Sequence, residues 1–392
     1  KFIHKLIVIQ YTNFIKKKIR MGKIYTALGL MSGTSGDGID ASIIQTDGET
    51  HCKVLENKFF KYSSQISSEI HKSKVEFLNQ TNILNFSKDW KKPSKNLHLF
   101  EQKITSLHAD ASNNLIKRFN LDLIGFHGQT IYHDPKNKFS FQLGLGDMLS
   151  KLTKKTVVYN FRENDLKNNG EGAPLAPIFH KLLVKQNKIN LPVTILNIGG
   201  IANITSINEN YEMASQDIGP GNCLIDTWIR LKYNKRYDDK GLIARSGGFG
   251  ELNIDLILES YFNSPLSKKK SFDTNDFVDF INNIPTEVDL SIEDFACTLT
   301  EITAEIISKK IKYKNIYVCG GGRKNLYLIE RIENKIQHKI NLIDELSVNG
   351  DFIESQAFAY LAVRSYLGLP ISFPETTGCK EPSSGGVIVK NF

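Results

Sequence analysis

The stretch IYTALGLMSGTSGDGIDASIIQTDG (residues 24–48) decides the fold of the first half of the chain. A segment rich in glycine, serine and threonine runs from Ser32 to Gly38, and apolar residues lie on both sides of it. This pattern predicts a strand, a glycine-rich turn and a returning strand. The second half opens similarly, because VTILNIGGIANITSI (193–207) is again apolar on both sides of a glycine turn. Two such hairpins, each beginning a half of similar size, predict two related lobes.

Alternating strand and helix signals after each hairpin indicate an α/β fold. Ser291 with Asp294 resembles a capping box at the start of one helix. The periodicity predicts helices over 104–119, 294–311 and 355–367, and strands over 121–135, 139–144, 156–161 and within 314–325. We place the boundary between the lobes at Arg162, in a polar loop. This predicts an N-terminal lobe over 21–162, a C-terminal lobe over 163–377 and a segment, 378–392, that returns to the N-terminal lobe.

Composition and charge exclude several classes of protein. The chain has 392 residues, 41% hydrophobic and 23% charged, as in soluble globular proteins. No apolar run reaches the roughly 18–20 residues that span a bilayer, so we expect no membrane partner. Six of the 50 basic residues lie in residues 1–20, which hold no acid; the remaining 44 nearly balance 42 acidic residues, so we expect no nucleic-acid partner. Residues 1–20 are expected to be an extension outside the fold, with Met21 the initiator, or else a targeting or surface-binding arm.

Cysteine and histidine usage argues against disulfides and structural metals. The five cysteines are far apart and form no C-x-x-C pair, which is typical of a reduced cytoplasmic protein. His127 and His133 lack a standard metal-ligand spacing. We interpret His127 as a polar loop residue near the cleft.

The first hairpin, SGTSGDGID (32–40), is a candidate phosphate site. Backbone N–H groups can cradle a phosphate only where side chains leave them open, which favours glycine. Ser32, Thr34 and Ser35 add hydroxyl donors, and Asp37 can hold Mg²⁺ through water. The alternative is a tight hairpin whose polar side chains bind no ligand.

Asp217 precedes a Gly-Pro-Gly turn in QDIGPGN. A carboxylate beside a phosphate site is the expected place for a base that activates an attacking hydroxyl or water; the alternative is a turn-capping aspartate.

Three further motifs are candidate binding positions. Gly199 and Gly200 can bind the same phosphates or form a packed turn. The cluster CGGGRKN (319–325) can receive a base or ribose, or is a strand-to-helix turn. Arg162 and Asp165 can bind a polar substrate or pair with each other.

In their order along the chain, these motifs resemble the anhydro-N-acetylmuramic acid kinase family from Tyr25 to about Val389. The matching motifs are SGTSGDGID, GFHGQT, FREND, GEGAPLAP, LNIGGIANIT, DIGPGN, DDKG, CGGGRKN and ESQAFAYLA. The resemblance implies a two-lobed actin-like ATPase fold, with an RNase H-like sheet in each lobe and a nucleotide cleft between them. It also implies ATP and Mg²⁺ as cofactors, a homodimer and a place in the bacterial cytoplasm, in peptidoglycan recycling.

The implied reaction opens the 1,6-anhydro bond of the sugar by hydrolysis and phosphorylates O6, giving N-acetylmuramate 6-phosphate. Asp217 matches the family's catalytic aspartate. The positions implied for ATP and its phosphates are Gly33, Thr34, Ser35, Gly36, Asp37, Gly38, Ile39, Asp40, Gly199, Gly200, Gly219, Gly221, Gly320, Gly321, Gly322 and Asn325. The positions assigned to the sugar are Gln129, Arg162, Asp165 and Glu354.

Three positions depart from the family pattern: Gly36, Gln216 and Asn160. Gly36 stands where the family has a bulky apolar residue, and we expect it to loosen the hairpin tip. Two alternatives stay open, namely a kinase of another sugar or polyol on the same fold and a degenerate nucleotide-binding protein. Retention of both Asp37 and Asp217 argues against degeneracy.

Overall fold

The computed structural model describes residues 22–33, 35–83, 94–248, 254–268, 272, 274–277, 280 and 290–392, with side chains of 78–83 and 275 excepted. The basic segment 1–20 and Thr34 lie outside the described residues. The strands are β1 (Tyr25–Ser32), β2 (Gly38–Thr46), β3 (Cys52–Lys61), β4 (Leu123–Asp134), β5 (Phe139–Leu143), β6 (Thr156–Tyr159), β7 (Val193–Ile198), β8 (Ile201–Ile207), β9 (Met213–Pro220), β10 (Ile316–Cys319), β11 (Asn341–Leu342) and β12 (Val387–Val389).

The helices are α1 (Ser64–Ile83), α2 (Lys95–Ile116), α3 (Gly146–Thr153), α4 (Glu163–Lys167), α5 (Pro177–Gln186), α6 (Cys223–Tyr233), α7 (Leu242–Ser246), α8 (Ile254–Asn263), α9 (Ile292–Ser308), α10 (Leu326–Ile336), α11 (Ile353–Leu367) and α12 (Pro374–Thr377). Short 3₁₀ helices cover Asp239–Gly241, Leu266–Lys268, Thr274–Phe277, Gly321–Lys324 and Ile343–Leu346. Among the described residues, no helix has both the length and the apolar character needed to cross a membrane.

The chain divides into two compact units, and their boundaries differ from those that the sequence predicted. The first unit contains the chain up to Asn187 together with Glu354–Phe392, and the second contains Lys188–Ile353. The predicted boundary at Arg162 is too early, because α5 belongs to the first unit. Gln186, at the end of α5, exchanges two hydrogen bonds with the backbone of Cys52 on β3, at 2.7 and 2.8 Å. The predicted end of the second lobe at residue 377 is too late, because α11 packs on the first unit's sheet.

The first unit is built on a seven-stranded sheet of order β12-β6-β4-β1-β2-β3, with β5 paired to β4. Strands β1, β2 and β3 are successively antiparallel, while β4 is parallel to β1 and β6 is parallel to β4. The last strand, β12, joins β6 antiparallel. Because β1, β4 and β6 end at the same edge, that edge gathers the β1–β2 turn and the segments that follow β4 and β6.

The second unit repeats this arrangement in a five-stranded sheet of order β11-β10-β7-β8-β9. Again the first three strands are antiparallel neighbours, and the next two are parallel to the first. Two sheets with the same RNase H-like order confirm the predicted α/β fold of two related lobes. One edge of this second sheet carries the β7–β8 turn, the end of β9 and the end of β10.

Each unit has its own apolar core beneath its sheet. The capping box predicted for α9 supplies the helix start, since the Ser291 hydroxyl accepts from the Asp294 N–H at 3.0 Å. Helix α2 begins nine residues before the predicted start at 104, because Ser94 caps it by accepting from the Leu97 N–H at 3.2 Å.

Buried histidines in the first unit make its stability depend on pH. Burial lowers the pKa of His108, His133 and His180 to about 4 each. In the unfolded chain these histidines take up protons near pH 6.5, whereas the folded protein resists protonation down to about pH 4. Stability is therefore fully present above about pH 6.5 and is lost as the pH falls toward 4.

We predict that His108→Leu flattens this pH dependence. The imidazole of His108 is fully buried and lies 4.9 Å from the Phe126 ring, so leucine suits the site. A pKa shift from 6.5 to about 4 corresponds to roughly 3 kcal/mol of stability lost on acidification. Urea unfolding at about pH 7 and about pH 5 measures about 2 kcal/mol of this loss, because the rest develops between pH 5 and about 4. His98→Leu, at an exposed position of the same helix, is the control; equal pH slopes for H108L and wild type would contradict the prediction.

Candidate active site

Buried side chains from neighbouring strands hold the tip of the β1–β2 hairpin. The Ser32 hydroxyl donates to Gln129 Oε1 at 2.6 Å, lies 2.9 Å from the Gly38 carbonyl and is 3.1 Å from the Tyr62 hydroxyl. Gln129 Nε2 donates to the Gly33 carbonyl at 2.8 Å. The turn of the predicted phosphate site is thus bound to Tyr62, just after β3, and to Gln129, in the middle of β4.

Gly36 does not loosen the hairpin tip. Its backbone is left-handed, with φ +62°, and a Cβ there would lie 3.1 Å from Cγ2 of Ile70 on α1. Glycine therefore lets α1 pack closely beneath the turn. The Gly36 N–H also donates to the Gly33 carbonyl at 3.2 Å, which closes the tip.

Asp37 is half-buried at this tip, and its carboxylate Oδ1 accepts from the Ser35 hydroxyl at 2.6 Å. The side chain of Ile39 points into the core and that residue is 1% exposed, so only its backbone can face a ligand. Asp40 lies in β2, paired with Met31. Within the described ranges, no group of three or more His, Cys, Asp or Glu side chains forms a metal site. A Mg²⁺ ion carried by phosphates needs only one or two protein carboxylates, so a single Asp37 fits that chemistry.

Arg162, just beyond β6, is oriented by a neutral histidine. Its Nε and Nη2 lie 3.2 and 2.9 Å from His127 Nε2, and its Nη1 donates to the Gly172 carbonyl at 2.7 Å. His127 Nδ1 donates to the Gly128 carbonyl at 2.9 Å, leaving Nε2 as the acceptor. Burial, and then the Arg162 charge, hold the pKa of His127 well below its usual range.

Asp165 supports a loop, in contrast to the predicted contact with a sugar. The residue is 1% exposed. One carboxylate oxygen accepts from the Gly172 N–H at 2.6 Å and the other from the Thr377 hydroxyl at 2.6 Å. The carboxylate thus ties the loop after α4 to α12. Glu354 differs, because its side chain is open to solvent at the start of α11. Protein packed around it raises the pKa of the Glu354 carboxyl, and the Arg162 charge opposes that rise.

In the second unit, the β7–β8 turn is docked on the start of α6 by backbone groups. The Gly200 carbonyl accepts from the N–H groups of Gly221 and Cys223 at 2.9 and 3.1 Å, and the Gly199 carbonyl accepts from Asn222 at 2.8 Å. Gly221 allows this approach, since a Cβ there would lie 2.3 Å from the Gly199 oxygen. The two glycine motifs predicted from the sequence therefore meet.

Asp217 lies on β9 opposite Asn203 of β8, half-exposed, and its Oδ2 accepts from the Phe272 N–H at 3.0 Å. This contact orients the carboxylate. Gly219, two residues on, faces the core, because a Cβ there would lie 2.6 Å from Ile306 on α9. Packing against α9 therefore explains the glycine at this position.

The glycine cluster after β10 divides into packed and open positions. Gly320 and Gly322 lie against Asn197 and Ile198, whereas a Cβ on Gly321 would have no heavy atom within 4 Å. Asn325 caps α10, since its Oδ1 accepts from the Leu328 N–H at 3.0 Å, and its side chain is buried. Asn325 thus supports the helix, and Gly321 is the position where a nucleoside can approach the backbone.

Sequence reasoning missed the residues that hold the site. Tyr62 carries no motif that points to the hairpin, and Phe272 acts through its backbone N–H. His127 was singled out, but its bond to Arg162 depends on strand order, which brings β4 and β6 together. Asn222, whose N–H donates to the Gly199 carbonyl, directly follows the Gly-Pro-Gly turn. Its place in that motif was the one sequence signal that could have linked it to the site.

Comparisons with known proteins agree on one family. The family model described as anhydro-N-acetylmuramic acid kinase matches residues 25–391. A protein of that name from Pelagibacter ubique (strain HTCC1062) is 47% identical over 388 residues, covering 95% of this chain and 100% of the relative. Another from Agrobacterium fabrum (strain C58 / ATCC 33970) is 37% identical over 385 residues, covering 94% of this chain and 100% of the relative.

Two glycines of the second unit provide a matched test of this geometry. We predict that Gly221→Ala destabilises the protein by about 1–3 kcal/mol, because its methyl group would meet the Gly199 oxygen at 2.3 Å. Gly321→Ala is the control, since its methyl group would meet nothing within 4 Å. Urea unfolding of both variants measures the difference; equal stability would contradict the docked turn.

Proposed function

The chain belongs to the anhydro-N-acetylmuramic acid kinase family, and from that premise we propose that it opens 1,6-anhydro-N-acetylmuramic acid and phosphorylates it with ATP. The product is N-acetylmuramate 6-phosphate. The match of the family model over residues 25–391 is the observation that carries this proposal. A kinase of another sugar or polyol and a degenerate binding protein are not favoured by the comparisons.

Asp217 is the general base of the proposed reaction. Its carboxylate takes a proton from the water whose oxygen bonds to the anomeric carbon. The bond between that carbon and O6 breaks, and its electron pair goes to O6. O6 then bonds to the γ-phosphorus as ADP leaves. The Phe272 N–H holds Asp217 Oδ2 at 3.0 Å and so fixes the direction of the carboxylate. Ring opening and phosphoryl transfer assist each other, because the leaving oxygen is also the nucleophile.

Arg162 and Glu354 are the residues of the first unit that we propose for the sugar. His127 and the Gly172 carbonyl fix the guanidinium, so little entropy is lost when it donates to a sugar oxygen. Glu354 is exposed at the start of α11, and the Arg162 charge acts on its carboxyl, which supports assigning both side chains to one polar ligand.

The β1–β2 hairpin and the β7–β8 turn are proposed to hold the phosphates of ATP. Asp37 would hold Mg²⁺ through water; such an ion neutralises charge on the β- and γ-phosphates. Ser35 keeps the Asp37 carboxylate oriented through its 2.6 Å hydrogen bond. The proposal includes a homodimer and a place in the bacterial cytoplasm, where ATP is available for recycling cell-wall sugars.

A coupled ADP-release assay with Mg-ATP and the anhydro sugar, followed by mass spectrometry, tests this function. We expect a product heavier than the sugar by one phosphate and one water. A gain of phosphate alone would mean a kinase that leaves the ring closed. The absence of ADP release with the anhydro sugar, while another sugar supports it, would transfer the proposal to that sugar.

We predict that Asp217→Asn lowers kcat by about 10²- to 10⁴-fold, because the amide cannot accept the proton from water. Binding of a non-hydrolysable ATP analogue is expected to stay within about threefold of wild type. Asp110→Asn, at an exposed position of α2, is the control for a charge change away from the site. Turnover of D217N at the rate of D110N would reject Asp217 as the base.

A further inference from the structure

Gln129 occupies the point where β4 meets the β1–β2 hairpin. It ends the run of paired residues between the two strands, opposite Ser32. Its Oε1 accepts from the Ser32 hydroxyl at 2.6 Å, and its Nε2 donates to the Gly33 carbonyl at 2.8 Å and the Thr130 carbonyl at 3.2 Å. Both ends of the amide are therefore used by the protein itself.

Burial separates Gln129 from any ligand. The residue is 0% exposed, and Ser32 beside it is also 0% exposed. A buried amide with its donors and acceptor satisfied has nothing left to offer a sugar hydroxyl, and turning it outward would leave the Gly33 carbonyl with only the longer bond from the Gly36 N–H, at 3.2 Å. The predicted sugar contact of Gln129 therefore does not fit this geometry.

The contact with Gly33 bears on the phosphate site. A donor that holds the Gly33 carbonyl restrains the backbone of the hairpin at that residue. Phosphate cradles depend on the direction of consecutive backbone N–H groups. Gly33 itself is open, with its nearest heavy atom, Ser35 Oγ, 3.9 Å from an ideal Cβ. Hydrogen bonds therefore hold the backbone at Gly33, and the shorter of the two to its carbonyl comes from Gln129 Nε2, at 2.8 Å against 3.2 Å from the Gly36 N–H.

We propose that Gln129 is a positioning residue for nucleotide, which orients the phosphate-binding hairpin through Ser32 and Gly33 without touching either substrate. The inference rests on the proposed function, since it takes the hairpin's ligand to be the phosphates of ATP. Glutamine suits this role because one neutral side chain supplies the acceptor for Ser32 and the donor for Gly33.

Gln129→Glu tests the proposal with almost no change of shape. The variant keeps an acceptor for the Ser32 hydroxyl but places an oxygen against the Gly33 carbonyl. We expect the dissociation constant of a non-hydrolysable ATP analogue, measured by titration calorimetry, to rise about tenfold or more. The KM of the anhydro sugar at saturating ATP should stay within about twofold. A sugar contact predicts the reverse, and that result would overturn the proposal.

Gln142→Glu is the matched control, on strand β5 of the same sheet. Gln142 Nε2 donates to the Ser140 hydroxyl of the same strand at 2.7 Å, so the variant also loses one side-chain donor, but one that bonds to β5 and not to the hairpin. Its affinity for the nucleotide analogue should equal that of wild type. An equal loss of affinity in Q129E and Q142E would overturn the specific role of Gln129.

A second variant covers the case in which Q129E does not fold. Ser32→Ala removes the hydroxyl that binds Gln129 Oε1, and we expect it to weaken analogue binding severalfold with an unchanged KM for the sugar. Failure of wild type to bind the analogue would refute the proposed function. Wild-type binding with equal affinity in the folded Q129E or S32A protein would refute only the role of Gln129.

Discussion

Helix α11 lies directly on the central strands of the first unit, and the site there depends on this contact. Gly29 of β1 and Gly125 of β4 are paired in register. A Cβ on Gly29 would lie 1.8 Å from the Ser355 carbonyl oxygen, and one on Gly125 would lie 2.3 Å from the Phe358 carbonyl oxygen. Only glycine permits this approach of helix to sheet. The chain re-enters the first unit at Glu354, in the first turn of α11. The distance between α11 and the sheet therefore determines the position of Glu354.

Polar contacts then fix the rotation of that helix on the sheet. The hydroxyls of Ser355 and Ser42 are 2.6 Å apart, and Gln356 Nε2 donates to Asn57 at 3.1 Å. The Ser42–Ser355 bond is buried and the Gln356–Asn57 bond is partly buried, so their loss on rotation would be costly. With α11 held in this way, its first turn faces the edge where Arg162 follows β6. The effect of the Arg162 charge on Glu354 thus depends on contacts that Ser355, Gln356 and Phe358 of α11 make with the sheet.

Local patterns in the sequence were sufficient for the hairpins but not for the partners of polar residues. Glycine turns between apolar runs gave both hairpins, and Ser291 marked the start of α9. Helix α1 was not predicted from the sequence. Its buried apolar side chains, such as Ile66 and Ile70, are few among polar residues and give no clear helical periodicity. Asp165 and Gln129 were assigned to a ligand because a polar residue in a glycine-rich motif has the same appearance whether its partner is substrate or backbone. Only the strand order decides which it is.

The two units use the same strand order but close their glycine turns by different physical means. In the first, side chains supplement the backbone bond from Gly36 to Gly33, with Ser32 and Gln129 bonded to the loop and to each other. In the second, the Gly199 and Gly200 carbonyls bond directly to the backbone at the start of α6. A turn closed by backbone is insensitive to most substitutions except at the glycine that permits the approach. A turn closed by side chains can be altered one hydrogen bond at a time. Of the two turns, the first hairpin is therefore the one whose backbone small sequence changes can adjust without changing the fold.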